Sequence, residues 1–413
     1  MDRRVCMAVV SLILVACNAV NVNPMLSHLA PEKLSVSEPR ALHFVPFYSF
    51  RGGKNGGNPE AAPIRVGKAL YGTTSGSLAP KNYATAFSLS DLGLTYRVLH
   101  NFGLKYGSAR PIYSALTGVN GIFYGTTAYG TTLSGSGYGN PAWAGQLFSI
   151  SKAGARHILH HFHFYDHNDG SEPLGGLINV DGTLYGTTFA GGEYFAGTVF
   201  AISTSGARFR ILHSFGGPSD SSLPSGALVY VNGELYGTTH LGGPGNGGAV
   251  FRLETSGSGY RVLYSFDDAH GRASSPNAPL LAVGNLLYGT TNSGGGVRGG
   301  GAIFRIGLSG SGFAVLHRFE ENRDDNDGFG PSGALVATSG RLYGTTVSGG
   351  TSMCNCGTVF SITESGYGYR VIHRFRGHDG STPEGLISAN GSIYGTTFSG
   401  GSRNSGTIFE LTP

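Results

Sequence analysis

Leu184-Tyr185-Gly186-Thr187-Thr188 is one of seven versions of a single phrase, an aliphatic or aromatic residue followed by Tyr-Gly-Thr-Thr. The others stand at Leu70–Thr74, Phe123–Thr127, Leu235–Thr239, Leu287–Thr291, Leu342–Thr346 and Ile393–Thr397. The seven tyrosines are Tyr71, Tyr124, Tyr185, Tyr236, Tyr288, Tyr343 and Tyr394, spaced by 53, 61, 51, 52, 55 and 51 residues. A recurrence near fifty residues marks a repeat architecture, in which each unit buries its apolar face only by stacking on its neighbours.

A second phrase, Arg-Val-Leu-His-Ser-Phe, recurs between copies of the first, at Arg97–Phe102, His157–Phe162, Arg210–Phe215, Arg261–Phe266, Phe313–Phe319 and Arg370–Phe375. The stretch His43–Phe50 is a seventh, through Tyr48-Ser49-Phe50. A short apolar strand follows each, then a tight turn such as Asp181-Gly182, Asn232-Gly233 or Asn390-Gly391, then Tyr-Gly-Thr-Thr. Asn-Gly or Asp-Gly between alternating runs favours a two-residue hairpin, because its turn needs positive φ at both centres. A glycine-rich loop and a strand such as Gly197–Ile202 complete the unit. Each unit therefore holds four antiparallel strands, A, B (Tyr-Gly-Thr-Thr), C and D (Leu-His-Ser-Phe), and no stretch sustains helical periodicity.

Four strands per unit, repeated, predict an all-β, seven-bladed β-propeller. The ends predict how it closes. The chain opens on a lone D strand and finishes on strands A, B and C over 385–412. Pairing the N-terminal D with the C-terminal A–C closes the ring and protects its edges.

Composition agrees. Among 413 residues, 70 glycines, 40% hydrophobic and 13% charged residues describe a turn-rich β protein and not a disordered one. A net charge of +4, spread along the chain, gives no footprint for nucleic acid.

Arg3-Arg4 and the apolar run Val5–Ala16 read as an export signal, too short to span a bilayer. The run ends in Leu14-Val15-Ala16-Cys17, which looks like a bacterial lipobox. That likeness implies cleavage before Cys17 and acylation of its sulfur, with Asn18 leaning the destination outward. The expected organisation is a signal peptide over 1–16, a polar tether over 17–41 and a propeller over 42–413. The expected location is the bacterial outer membrane or cell surface as a lipoprotein, otherwise the periplasm or medium, with membrane contact through the lipid alone. Cys6 leaves with the signal. Cys354 and Cys356 share one loop, where they form a disulfide or help hold a metal.

The whole unit, Tyr-Gly-Thr-Thr…Ser-Gly-Gly…Gly-Thr-Val-Phe…Val-Leu-His-Ser-Phe…Asp-Gly…Pro, resembles the GloVer tandem repeat of bacterial surface proteins. The likeness covers 43–413. It departs most in blades 1 and 2, where Thr74-Ser75-Gly76-Ser77 lacks the Gly-Gly pair and 103–112 lacks the Asp-Gly. The family is described by a variable anchor and carries no established activity, so the resemblance implies architecture and address without a reaction.

The repeated residues themselves need no chemistry. In strand B the Tyr and first Thr face one side and the Gly and second Thr the other. Seven near-identical positions cannot all be one catalytic site. His100, His160, His213, His317 and His373 share a position with Tyr48 and Tyr264, which points to a hydrogen-bonding aromatic. Gly294–Gly299 matches a phosphate-loop spacing, but no helix follows to receive a phosphate.

Function is expected where the repeats differ, on the face from which the B–C and D–A loops emerge. Trp143, Tyr138, Phe164 and Tyr165 are the candidate aromatic platform for a glycan or protein ligand. His161, His163 and His167 are candidate acid/base or metal-binding groups for an alternative reading as an extracellular polysaccharide lyase or hydrolase, like other propeller-shaped lyases. Asp324, Asp325 and Asp327, in the acidic run 320–328, are candidate Ca²⁺ ligands without full EF-hand spacing. The leading expectation is a monomeric, non-catalytic, surface-anchored binding scaffold.

Overall fold

The computed structural model describes residues 42–76, 82–103, 114–128, 144–163, 166–267, 273–295, 299–319, 327–350 and 354–412. Cys17 and the stretches expected to be a signal (1–16) and a tether (17–41) lie outside them. The described strands form an all-β, seven-bladed propeller. In blade 3, strands A to D are Ile178–Val180, Thr183–Thr188, Thr198–Ser203 and Arg210–Ser214, hydrogen-bonded in that order. Blade 7 consists of Ser381–Ala389, Ser392–Ser399 and Thr407–Thr412, completed by His43–Ser49 from the start of the chain. His43 pairs with Thr412 and Ser49 with Thr407, which closes the ring as the strand count predicts.

The A strands touch one another around the ring and so form its inner wall, while the D strands are outermost. The predicted hairpin turns are present: Asp181-Gly182, Asn232-Gly233 and Asn390-Gly391 all have positive φ at both residues. Two features of the blades exceed the sequence pattern. Strand D carries a bulge, so that Val199 faces His213 while the next residue, Phe200, already faces Ile211. In blades 6 and 7, strands A and B run longer than predicted, Phe329–Thr338 with Arg341–Ser348 and Ser381–Ala389 with Ser392–Ser399.

The apolar core lies between blades. Tyr185 of blade 3 packs with Leu228, Leu235, Phe251 and Leu253 of blade 4. Tyr394 of blade 7 packs with Leu70, Phe87 and Leu89 of blade 1. Each glycine of the repeated phrase lies against the phenylalanine of its own strand C; a Cβ on Gly237 would stand 2.5 Å from Phe251 Cζ, and one on Gly395 2.3 Å from Phe409 Cζ. The first threonine reaches the next blade: Thr187 donates to the Gly226 carbonyl at 3.2 Å and Thr396 to that of Ala61 at 3.1 Å. The second stays within the blade, as in the 2.8 Å contact between the Thr188 and Thr198 hydroxyls.

Candidate binding surface on the loop face

The strand-D histidines are fixed from two sides. The Nε2 of His160, His213, His317 and His373 bonds the carboxylates of Asp169, Asp220, Asp327 and Asp379, at 3.1, 3.0, 2.9 and 2.8 Å respectively, each aspartate coming from the following D–A loop. Their rings stack on an aromatic at the start of strand D in the next blade: Phe209, Tyr260, Tyr369 and Phe44, with centroids 3.6–3.8 Å apart. A carboxylate on the ring edge and an aromatic on its face make each histidine a strap between neighbouring blades. At Asp220, burial pushes the carboxyl pKa upward, but bonds from His213, Tyr260 and the Ser221 N–H outweigh it and hold the group below the usual carboxylate range. Asp379 is depressed in the same way by His373 and the Arg376 N–H against the effect of burial.

Blade 2 departs from this plan. Arg156 takes the place of the stacking aromatic, with its guanidinium 5.2 Å from the Phe102 ring centre and 5.5 Å from that of Phe148. Burial, then the Arg156 charge, lower the pKa of His100 behind it.

The candidate histidines are all in this sector, on the outermost strand of blade 2 and the loop after it. They sit at the rim and do not converge on the axis. His161 Nδ1 lies 3.5 Å from Gln146 Nε2; burial, followed by the charges of His163, His160 and Arg156, lowers its pKa. His163 shares the buried carboxylate of Asp169 with His160, through its backbone N–H and its Nδ1, both at 3.1 Å. His167 Nδ1 lies 3.3 Å from the Glu193 carbonyl oxygen. Trp143, Tyr138, Phe164, Tyr165, Asp324 and Asp325 lie outside the described residues. Asp327 is described, and its carboxylate holds His317. Cys354 and Cys356 are joined as a disulfide, with Cα atoms 5.1 Å apart. Among the described residues no three His, Cys, Asp or Glu side chains are grouped to hold a metal ion.

Sequence reasoning missed two places. The first is the loop-face end of the inner strands, where Ser332 of blade 6 donates to Glu384 of blade 7 at 3.2 Å. Burial first, then the charge of Glu60 in blade 1, raise the Glu384 pKa to about 8 against that bond. The second is the B–C loop of blade 3. Tyr194 and Phe195 are 47% and 45% exposed there, and the Phe195 ring meets His167 edge-on with centroids 4.8 Å apart. Phe195 has φ 57°, the left-handed region that bulky side chains avoid. Lining up the B–C loops on the first residue of the strand C core would have drawn attention to it, since the residues three places before Ala249, Ala302, Thr358 and Thr407 are Asn246, Gly299, Asn355 and Asn404.

A family model described as a Gloeobacter/Verrucomicrobia repeat matches residues 128–352 and, in an overlapping placement, 181–409. No curated protein sequence matches the chain. Similar solved structures include an oligogalacturonate lyase in complex with manganese, 10% identical, with TM-score 0.51 over 90% of this chain and 96% of that one. A chain of the nidogen/laminin complex is 16% identical, with TM-score 0.40 over 62% of this chain and 83% of its own. At such identities the likeness is one of fold alone.

Proposed function

The chain belongs to the Gloeobacter/Verrucomicrobia repeat family, and from that footing we propose that it is a non-catalytic propeller that binds a glycan or protein ligand on its B–C/D–A loop face. The observation that carries this reading is the use made of the repeat's ionisable groups. The four described His–Asp pairs are stacked on the neighbouring blade and serve to hold the ring together. Groups spent on holding one blade to the next are not free to distinguish a ligand, so recognition falls to the loops that vary while the strands hold them rigid. In the same proposal the chain is exported and held at the cell surface by a lipid on Cys17.

The test uses the full protein. Binding is measured on a glycan array and to surface-protein extracts, with and without Ca²⁺, alongside incubation with a polysaccharide panel. Retention without product release is expected. Release of reducing ends or unsaturated products from any polysaccharide would overturn the non-catalytic reading in favour of the lyase or hydrolase alternative. For the anchor, Cys17→Ser is expected to move the protein from the membrane to the soluble fraction; an unchanged distribution refutes lipidation.

A further inference from the structure

We propose that the B–C loop of blade 3 and the groove beside it form a carbohydrate-binding subsite, with Tyr194 and Phe195 as its aromatic surface. This rests on the reading of the propeller as a ligand-binding protein and gives that reading a place and a ligand class.

The first support is a conformational exception. The turn that closes the B–C loop has the same backbone in five blades, with φ 57°, 54°, 72°, 51° and 50° at Phe195, Asn246, Gly299, Asn355 and Asn404. Asparagine and glycine are the residues that tolerate this region, and Asn404 also repays it by accepting the Gly400 N–H at 2.9 Å. Phenylalanine has neither the tolerance nor the hydrogen bond. Half exposed and edge-on to His167, Phe195 is an aromatic where the other copies of the turn have asparagine or glycine, and strained exceptions of this kind gather at ligand sites.

The second support is the surroundings. The Tyr194 side chain lies over Gly216-Gly217, where a Cβ on Gly216 would stand 2.9 Å from its Cβ. The glycines thus let the ring settle against the backbone and present it preorganised. Tyr194 also borders a groove of about 550 Å³ lined in addition by Glu193, His213, Ser214 and Asp220. That volume is within the usual range for small-ligand sites. A sugar ring matches both halves of the site: its C–H face covers an aromatic ring, and its hydroxyls pair with Glu193 and Ser214, while His213 and Asp220 stay bonded to each other as the groove's fixed floor.

The bland account is that Phe195 only pins its loop to His167. The two accounts separate in Phe195→Asn, which restores the residue that the other blades use. Wild-type protein, Phe195→Asn, Tyr194→Ala and a control, Leu241→Ala in the blade 4 loop, are run through native gels containing pectin, xylan, β-glucan or dextran, and each is melted thermally. Wild type and control are expected to be retarded by at least one polysaccharide. Both loop variants should bind about tenfold or more weakly, while Phe195→Asn melts no lower than wild type. Equal retardation of wild type and both variants overturns the subsite but leaves a glycan-binding propeller. Retardation lost only together with a lower melting point favours the pinning account and overturns it too. No retardation of wild type in any gel overturns the carbohydrate class, while binding to protein extracts alone would leave the broader reading standing.

Discussion

Within each Tyr-Gly-Thr-Thr phrase, every residue answers to a different neighbour. The tyrosine fills the interface with the next blade, the first threonine bonds that blade's backbone, and the second bonds strand C of its own blade. The glycine is required by the ring beneath it. Gly237→Ala would place a methyl group 2.5 Å from Phe251 Cζ, in a position where backbone and ring are both held by packing. We expect a loss of about 1–3 kcal/mol, as for other overpacked cores, measured by urea unfolding. Adding Phe251→Leu should recover part of it, because the two positions are in contact. A cost for the double variant equal to the sum of the single costs would mean that the clash is not the cause.

At the scale of elements, the His–Asp strap makes strand D and the loop after it one unit with the neighbouring blade. His373 stacks on Phe44 at 3.6 Å while Asp379 holds its Nε2 at 2.8 Å. Since the folded Asp379 has a depressed pKa, its contribution is present above the ordinary carboxylate value, near pH 4. It is lost as pH falls through the lower folded value, because the unfolded chain then binds the proton first. Asp379→Asn should therefore cost about 1–3 kcal/mol at neutral pH and flatten the decline of stability below about pH 4, as read from melting temperatures across a pH series. An acid limb parallel to that of wild type would contradict the assignment. The histidine in these straps was legible as a recurring hydrogen-bonding aromatic, but its partner was not. The separations of 9, 7, 10 and 6 residues follow loops of unequal length, so no spacing in the chain announces the pair.

For the whole molecule the decisive contact is between its two ends. His43–Ser49 supplies the outer strand of blade 7, and Phe44 joins the cluster with Phe375 and Phe409. Deleting residues 1–50 would remove that strand, bare the edge of Thr407–Thr412 and take the stacking partner from His373. Deleting 1–41 leaves the ring intact. We expect the shorter deletion to melt like wild type and the longer one to lose its cooperative transition or aggregate, as unprotected edges do, with size-exclusion chromatography and circular dichroism as the readouts. Similar behaviour of the two would argue against closure by this strand.

The blade count, the four strands, the hairpin turns and the ring closure were all determined by the sequence itself. Seven repetitions turn weak local signals into a consistent one, and a D strand left over at one end has only one place to pair. The tertiary structure decided what repetition hides. It put the core between blades, gave each histidine its aspartate, and placed His161, His163 and His167 at the rim. It also singled out Phe195, because a residue letter carries no φ: the strain there exists only once the loop takes the same turn as its counterparts in the other blades.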